Sequence, residues 1–191
     1  MNDRPPEPML GSATPTDEPQ ERSLASTVGW IATMIDEGRL STGDVAELRR
    51  VDPEEPFTPA LWKLLLANPI QENGFAPRGD DEERETQWSA LLMGMAMTAG
   101  LHNLKIPLGT ALAESGFSPI RFERLMRHTG VELFTDLRRM ASYLASKSQP
   151  ASWTDVAYLL FLQEGEAALK TRRSIARRYY QALQRLEKSS S

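Results

Sequence analysis

The stretch SPIRFERLMRH, residues 118–128, places an arginine at every third position: Arg121, Arg124 and Arg127. A guanidinium group is permanently charged, planar and forked. It therefore suits two-point contact with a phosphate and stacking on a base. On a helix turning about 100° per residue, these arginines fall on one side and Phe122, Leu125 and Met126 on the other. Cations one turn apart repel by roughly a few tenths of a kcal/mol per adjacent pair. Glu123 is the one acid inside the stretch to offset them, so the clustering asks for a negative partner.

The pattern recurs along the chain. Arg138 and Arg139 flank an apolar seam formed by Leu133, Leu137, Met140 and Leu144. Arg173 and Arg177, with Lys170, Arg178 and Arg185, lie off an expected apolar side made by Leu169, Ala176, Tyr179, Leu183 and Leu186. Arg49 and Arg50 come late in another helical stretch. Arginine outnumbers lysine 17 to 5. Any single arginine reads as a solvated surface residue, favourable near a helix C-terminus; the set is harder to explain that way.

The charge distribution points in the same direction. The chain has 191 residues and a net charge of −4. Residues 1–100 hold 8 Lys/Arg and 18 Asp/Glu, whereas residues 101–191 hold 14 and 8. An acidic first half joined to a basic second half suggests a polyanion for the basic half. A basic surface that is merely solvated is the alternative.

Other chemistries find little support. There is no cysteine, which excludes disulfides, thiolate metal sites and a cysteine nucleophile. His102 and His128 are the two histidines, and both sit near expected helix ends, where a cap or surface role suits them. No phosphate-binding glycine loop occurs, and no acidic pair has the arrangement of a glycosidase or two-metal site. The acidic run DDEERE, residues 80–85, lacks histidine and ordered spacing, so it reads as a connector and not as a metal site. No catalytic residue, cofactor or metal is expected. Trp30, Trp62, Trp88 and Trp153 all lie on apolar helical faces and are read as core. The longest apolar run, WSALLMGMAMTAGL, has about 14 residues, short of the ~20 that span a bilayer. The first 20 residues show no basic start followed by an apolar run, so no secretory signal is expected. A cytoplasmic protein without a membrane partner is the expectation.

Helical periodicity organises the rest. Residues 1–22 hold five prolines and few large apolar side chains, which predicts a disordered tail. Leu24, Val28, Ile31 and Ile35 recur at helical spacing up to Gly38. A second helix opens at Thr42 or Asp44 and stops before Pro53. Pro59 suits the first turn of a third. Residues 68–84 read as a loop. A helix over about 85–101, apolar almost all round, belongs at a bundle centre. Shorter helices follow at LGTALAESG, from Ser118–Pro119, over 131–146, around Trp153–Phe161 and over 166–187. Alternation typical of strands is missing. The fold class expected is all-α, two small helical bundles with eight or nine helices. The domains are residues 23–105 and a basic 106–188.

The segments STGDVAELRRVDPEEPFTPALWKLL, LGTALAESG and RFERLMRHTGVELFTDLRRMASYLAS, in that order, resemble the CasB family, the small subunit of the type I-E CRISPR surveillance complex Cascade. The similarity extends over residues 26–188. It implies an all-α, non-catalytic subunit that binds crRNA, target DNA and the displaced non-target strand, stabilising the R-loop in antiviral defence. It also implies a second copy in a head-to-tail dimer, and contacts with the large, backbone and other Cascade subunits. The family's basic positions carry over to Arg49, Arg50, Lys63, Arg121, Arg124, Arg127, Arg138 and Arg139, with Lys63 where some relatives have arginine. The proline-rich tail and the acidic stretch 71–85 exceed those of the shortest relatives. The competing expectation is a structural helical adaptor whose arginines pair with acidic protein surfaces.

Overall fold

Polar side chains that bond back to their own backbone mark where the first helices begin. Ser23 accepts a hydrogen bond from the Ser26 amide (3.2 Å) and opens α1, Leu24–Asp36. Ser41 opens α2, Thr42–Arg50, with a reciprocal cap: its hydroxyl accepts from the Asp44 amide (3.0 Å) and the Asp44 carboxylate accepts from the Ser41 amide (3.1 Å). Those bonds hold the Asp44 carboxyl below the usual carboxylate range, with Lys63 adding to the effect. Proline in the first turn opens α3, Pro59–Leu65, and α4, Asn68–Gln71. Asp81 caps α5, Glu82–Met97. Then follow α6 (Leu108–Glu114), α7 (Pro119–Arg127), α8 (Gly130–Ser146), α9 (Trp153–Phe161) and α10 (Gly165–Ser189).

The computed structural model describes residues 22–189. The tail expected over 1–22 lies outside them except for Arg22, whose guanidinium pairs with Glu72 at 3.0 Å. Among the described residues the protein is all-α with ten helices, and only isolated bridges stand in for strands. The count exceeds the expected eight or nine because the 68–84 loop contains α4. There, Pro69 pre-sets a helical turn and Ile70 is fully buried, anchoring it.

The α5 helix is the axis. Ten consecutive residues, Gln87 to Ala96, are buried, so it is enclosed on all sides as its composition predicts. Helices α1, α2, α3, α8 and α9 all pack on it. Gly94 admits the Trp153 ring, which would stand 2.4 Å from an added Cβ. Trp88 and Trp153 are fully buried, while Trp30 and Trp62 pack partly buried against the same core. Buried apolar residues from Leu24 to Ala182 form one contiguous cluster. Each fully buried leucine in it contributes about 1.5–3 kcal/mol relative to exposure.

The seam of α10 differs from its expected position. Ala168, Ile175, Tyr179 and Ala182 are buried, whereas Leu169 and Leu186 are largely exposed. The cause is close approach to α6. A Cβ on Gly109 would lie 2.2 Å from the Ile175 carbonyl oxygen, so the backbones nearly touch. Glycine at 109 permits that approach, and it puts the face of α10 that carries Ile175 and Tyr179 against α6, leaving Leu169 and Leu186 outside the contact. Tyr179 completes the seam: its ring stacks on Phe122 (3.8 Å, 3°) and its hydroxyl donates to the Phe117 carbonyl. Burial pushes its pKa up to about 12, so the donor proton is retained. Among the described residues no helix is long and apolar enough to cross a membrane.

Candidate nucleic-acid interface

The α7 helix turns into α8 through just two residues, His128 and Thr129, and then Gly130 in the left-handed region at φ +53°. So short a turn lays the two helices side by side. Arg172 of α10 holds the turn from behind. Its Nε donates to the Met126 carbonyl (3.1 Å) and its Nη2 to that of His128 (3.3 Å). Nη1 reaches the carbonyls of Leu162 and Gln163 (3.3 and 3.4 Å). Burial draws this guanidinium below the ordinary arginine pKa, and the four carbonyl dipoles compensate the charge. Gly130 adds a bond from its amide to the Gln163 side chain, 2.7 Å.

The result is a groove of about 790 Å³ lined by Arg121 and Arg124 from α7 and by Arg138, Arg139, Ser142, Tyr143 and Ser146 from α8. Met97 and Phe117 contribute apolar lining, and among the described residues Asp136 is the sole carboxylate lining it. Four guanidinium groups against one carboxylate leave an excess of three positive charges.

Asp136 is buried at 4% exposure and is shared. Arg124 contacts it with Nη2 at 2.9 Å and Nε at 3.1 Å, Arg139 with Nη1 at 3.2 Å, and the His128 Nδ1 with the other carboxylate oxygen at 2.8 Å. Arg124 and Arg139 remain 43% and 62% exposed despite this contact. They are oriented by the acid and still face solvent, where a second anion can reach them.

The remaining predicted residues are distributed differently. Arg138 donates to the carbonyls of Arg49 (3.4 Å) and Val51, capping the end of α2. Arg49 does not line the groove; its Nε donates to the Ala96 carbonyl at 2.8 Å. Arg50 bonds back to the Ala46 carbonyl on its own helix, 3.1 Å. Lys63 pairs with Asp44 at 3.3 Å. Arg127 pairs with Glu123 at 3.5 Å, is 79% exposed, and does not line the groove. Arg173 and Arg177 are exposed on the outward side of α10, away from its Ile175–Tyr179 seam. The structure thus gathers Arg121, Arg124, Arg138 and Arg139, while Arg49 meets this set only through its backbone carbonyl, which accepts from Arg138. Arg50, Lys63, Arg127, Arg173 and Arg177 lie elsewhere.

Sequence reasoning overlooked Asp136, Tyr143 and Arg172. A trace of Asp136 was present: it falls one turn after Leu133 and one before Met140, on the buried face of α8, where a lone acid needs cationic partners. Nothing comparable marks Arg172. His102 behaves as expected of a cap, its Nδ1 accepting from the Trp153 amide at 3.3 Å. Among the described residues no group of three or more His, Asp or Glu side chains is placed to hold a metal ion.

Comparison with known proteins decides the family. Residues 44–180 match the family described as CRISPR-associated protein Cse2. The chain belongs to the Cse2 family. The resemblance drawn from the ordered helical motifs is therefore borne out. No curated protein matches the chain. Among solved structures, CasB from Thermobifida fusca is similar with a TM-score of 0.65 at 20% identity, covering 82% of this chain and 97% of that one. A chain in the structure of E. coli Cascade bound to a PAM-containing dsDNA target is similar with a TM-score of 0.61 at 19% identity, covering 82% and 96%. At such identities the likeness concerns the fold, and the Cse2 fold is shared over nearly the whole of both relatives.

Proposed function

We propose that this protein is a non-catalytic small subunit of a type I-E Cascade complex, and that its groove between α7 and α8 binds nucleic-acid backbone. The observation that carries this reading is the convergence of Arg121, Arg124, Arg138 and Arg139 on one concavity whose only acid among the described residues is already engaged by Arg124, Arg139 and His128. Guanidinium forks match phosphate oxygens two at a time. Such contacts position a strand without reading its sequence, which suits a complex whose specificity resides in guide pairing.

In this reading the groove retains the displaced non-target strand, or the crRNA–target region, and so stabilises the R-loop. Arg173 and Arg177 offer a second basic stripe to the same polyanion. Family membership and the likeness to a chain of a DNA-bound Cascade support a place among the large, backbone and other subunits, beside a second copy of this chain. The acidic surface of residues 23–105 limits indiscriminate attachment to nucleic acid, since like charge repels the phosphate backbone at a distance.

The test is target retention by the assembled complex across a salt series, with Arg121→Ala/Arg139→Ala against the parent. Each lost phosphate contact on a single strand lowers the log–log salt slope by about 0.7. Unchanged retention, together with crosslinks from these positions to protein alone, would establish the adaptor reading in its place.

A further inference from the structure

One wall of the groove is an aromatic ring. Tyr143 lies among the arginines and is half-buried, with one part of the ring open to the cavity. Its orientation is fixed at two points. The hydroxyl donates to the Ser115 carbonyl at 2.9 Å, and Phe117 meets the ring edge-on, centroids 5.3 Å apart at 65°. The Arg121 guanidinium carbon stands over the ring at 6.0 Å from its centroid, and the Lys147 ammonium at 5.9 Å. These distances are at the outer limit of cation–π attraction. They are well beyond the ~3.5–4.0 Å of van der Waals contact between stacked planes.

Resting on the nucleic-acid reading above, we propose that the groove also receives one unpaired nucleobase, stacked on Tyr143 and covered by Arg121. A flat base inserted between ring and guanidinium needs about twice 3.5 Å. Arg121 is exposed and long, and a shift of about 1 Å opens that space. The cavity volume falls within the roughly 300–1,000 Å³ of pockets that enclose small ligands. Arg124 and Arg139, aligned by Asp136, then take the flanking phosphates. Every base has a π-face, so such a platform holds a strand without sequence preference. The rigid tether of the hydroxyl to Ser115 keeps the ring from following the base, so little side-chain entropy is lost on binding.

The experiment uses the full chain with single-stranded oligomers carrying 2-aminopurine, in deoxyribo and ribo form, and matching oligomers abasic at every position. The expected result is quenching of 2-aminopurine by the parent and by Tyr143→Phe, and its loss in Tyr143→Leu. Affinity for the intact oligomer falls about 5- to 150-fold in Tyr143→Leu, with the salt slope unchanged because no phosphate contact is removed. The abasic oligomer binds the parent and Tyr143→Leu alike. Quenching with either oligomer supports the platform, and the tighter of the two identifies the strand it serves. Salt-dependent binding without quenching, or equal affinity for intact and abasic oligomers by the parent, overturns the platform and leaves the phosphate groove standing. These two readouts on the parent decide the matter even where Tyr143→Leu fails to fold. Absence of salt-dependent binding to any oligomer overturns both readings.

Discussion

Arg124 and Asp136 face one another across the α7–α8 junction in a two-point contact, Nη2 to Oδ1 at 2.9 Å and Nε to Oδ2 at 3.1 Å. The acid is buried and the base is not. Because Arg139 and His128 lean on the same carboxylate, a single buried charge orients three cationic or protonatable groups and leaves their outer edges toward solvent. Preorganisation of this kind lowers the ordering cost of binding an anion.

Asp136→Asn is expected to destabilise the fold by about 1–3 kcal/mol, the range for losing hydrogen bonds to a charged group. The figure stays below that of a wholly buried ion pair because both arginines are substantially exposed and screened. Urea denaturation of the two proteins side by side measures it.

Arg138 joins α8 to the end of α2 by donating to the carbonyls of Arg49 and Val51. Arg138→Ala leaves those terminal carbonyls without that partner, for an expected loss of about 1–2 kcal/mol. Amide exchange in the last turn of α2, residues 48–51, should quicken more than exchange in α5.

Gly109 faces backbone rather than a side chain. An added methyl would come within 2.2 Å of the Ile175 carbonyl and 2.9 Å of the Tyr179 amide nitrogen. Gly109→Ala must therefore separate α6 from α10, at a cost of about 1–3 kcal/mol or more. A lowered thermal midpoint is the expected readout, and an unaltered midpoint contradicts the close packing.

His102 supplies a pH dependence. Burial holds its pKa below the ordinary histidine value, partly opposed by Asp36, and its Nδ1 must be unprotonated to accept from the Trp153 amide. The unfolded chain therefore binds the proton more readily than the folded one. The stabilising contribution is present above the unfolded pKa of about 6.5 and is lost as pH falls below it toward the depressed folded value. The thermal midpoint should drop between pH 7 and mildly acidic pH more steeply in the parent than in His102→Asn, whose amide oxygen can serve as an uncharged cap.

Arg127 separates local charge from converged charge. It is on the same helix as Arg121 and Arg124 but points away from the groove and pairs with Glu123. Arg127→Ala is expected to leave both target retention and its salt slope close to the parent, in contrast to Arg121→Ala/Arg139→Ala. An equal loss in the two variants would show that binding follows net charge and not the groove.

The primary sequence by itself determined most of the local architecture. First-turn prolines 59 and 119 and apolar spacing in α1, α5 and α8 specify helices through interactions within a few residues of each other, so they are legible without the fold. The same periodicity separates the arginines of α7 from its buried Phe122 and Leu125, and the ordered motifs sufficed for the family. What the tertiary structure alone decided is which charges meet. Arg121 and Arg139 share a cavity because a two-residue turn folds α7 onto α8 and Arg172 clamps it, while Arg127, only six residues from Arg121, is rotated out. The α10 seam was likewise settled by backbone approach at Gly109, which brings the Ile175–Tyr179 face of α10, and not Leu169 or Leu186, against α6. Local periodicity gives each helix a face, but it carries no information about the direction in which neighbouring helices turn that face.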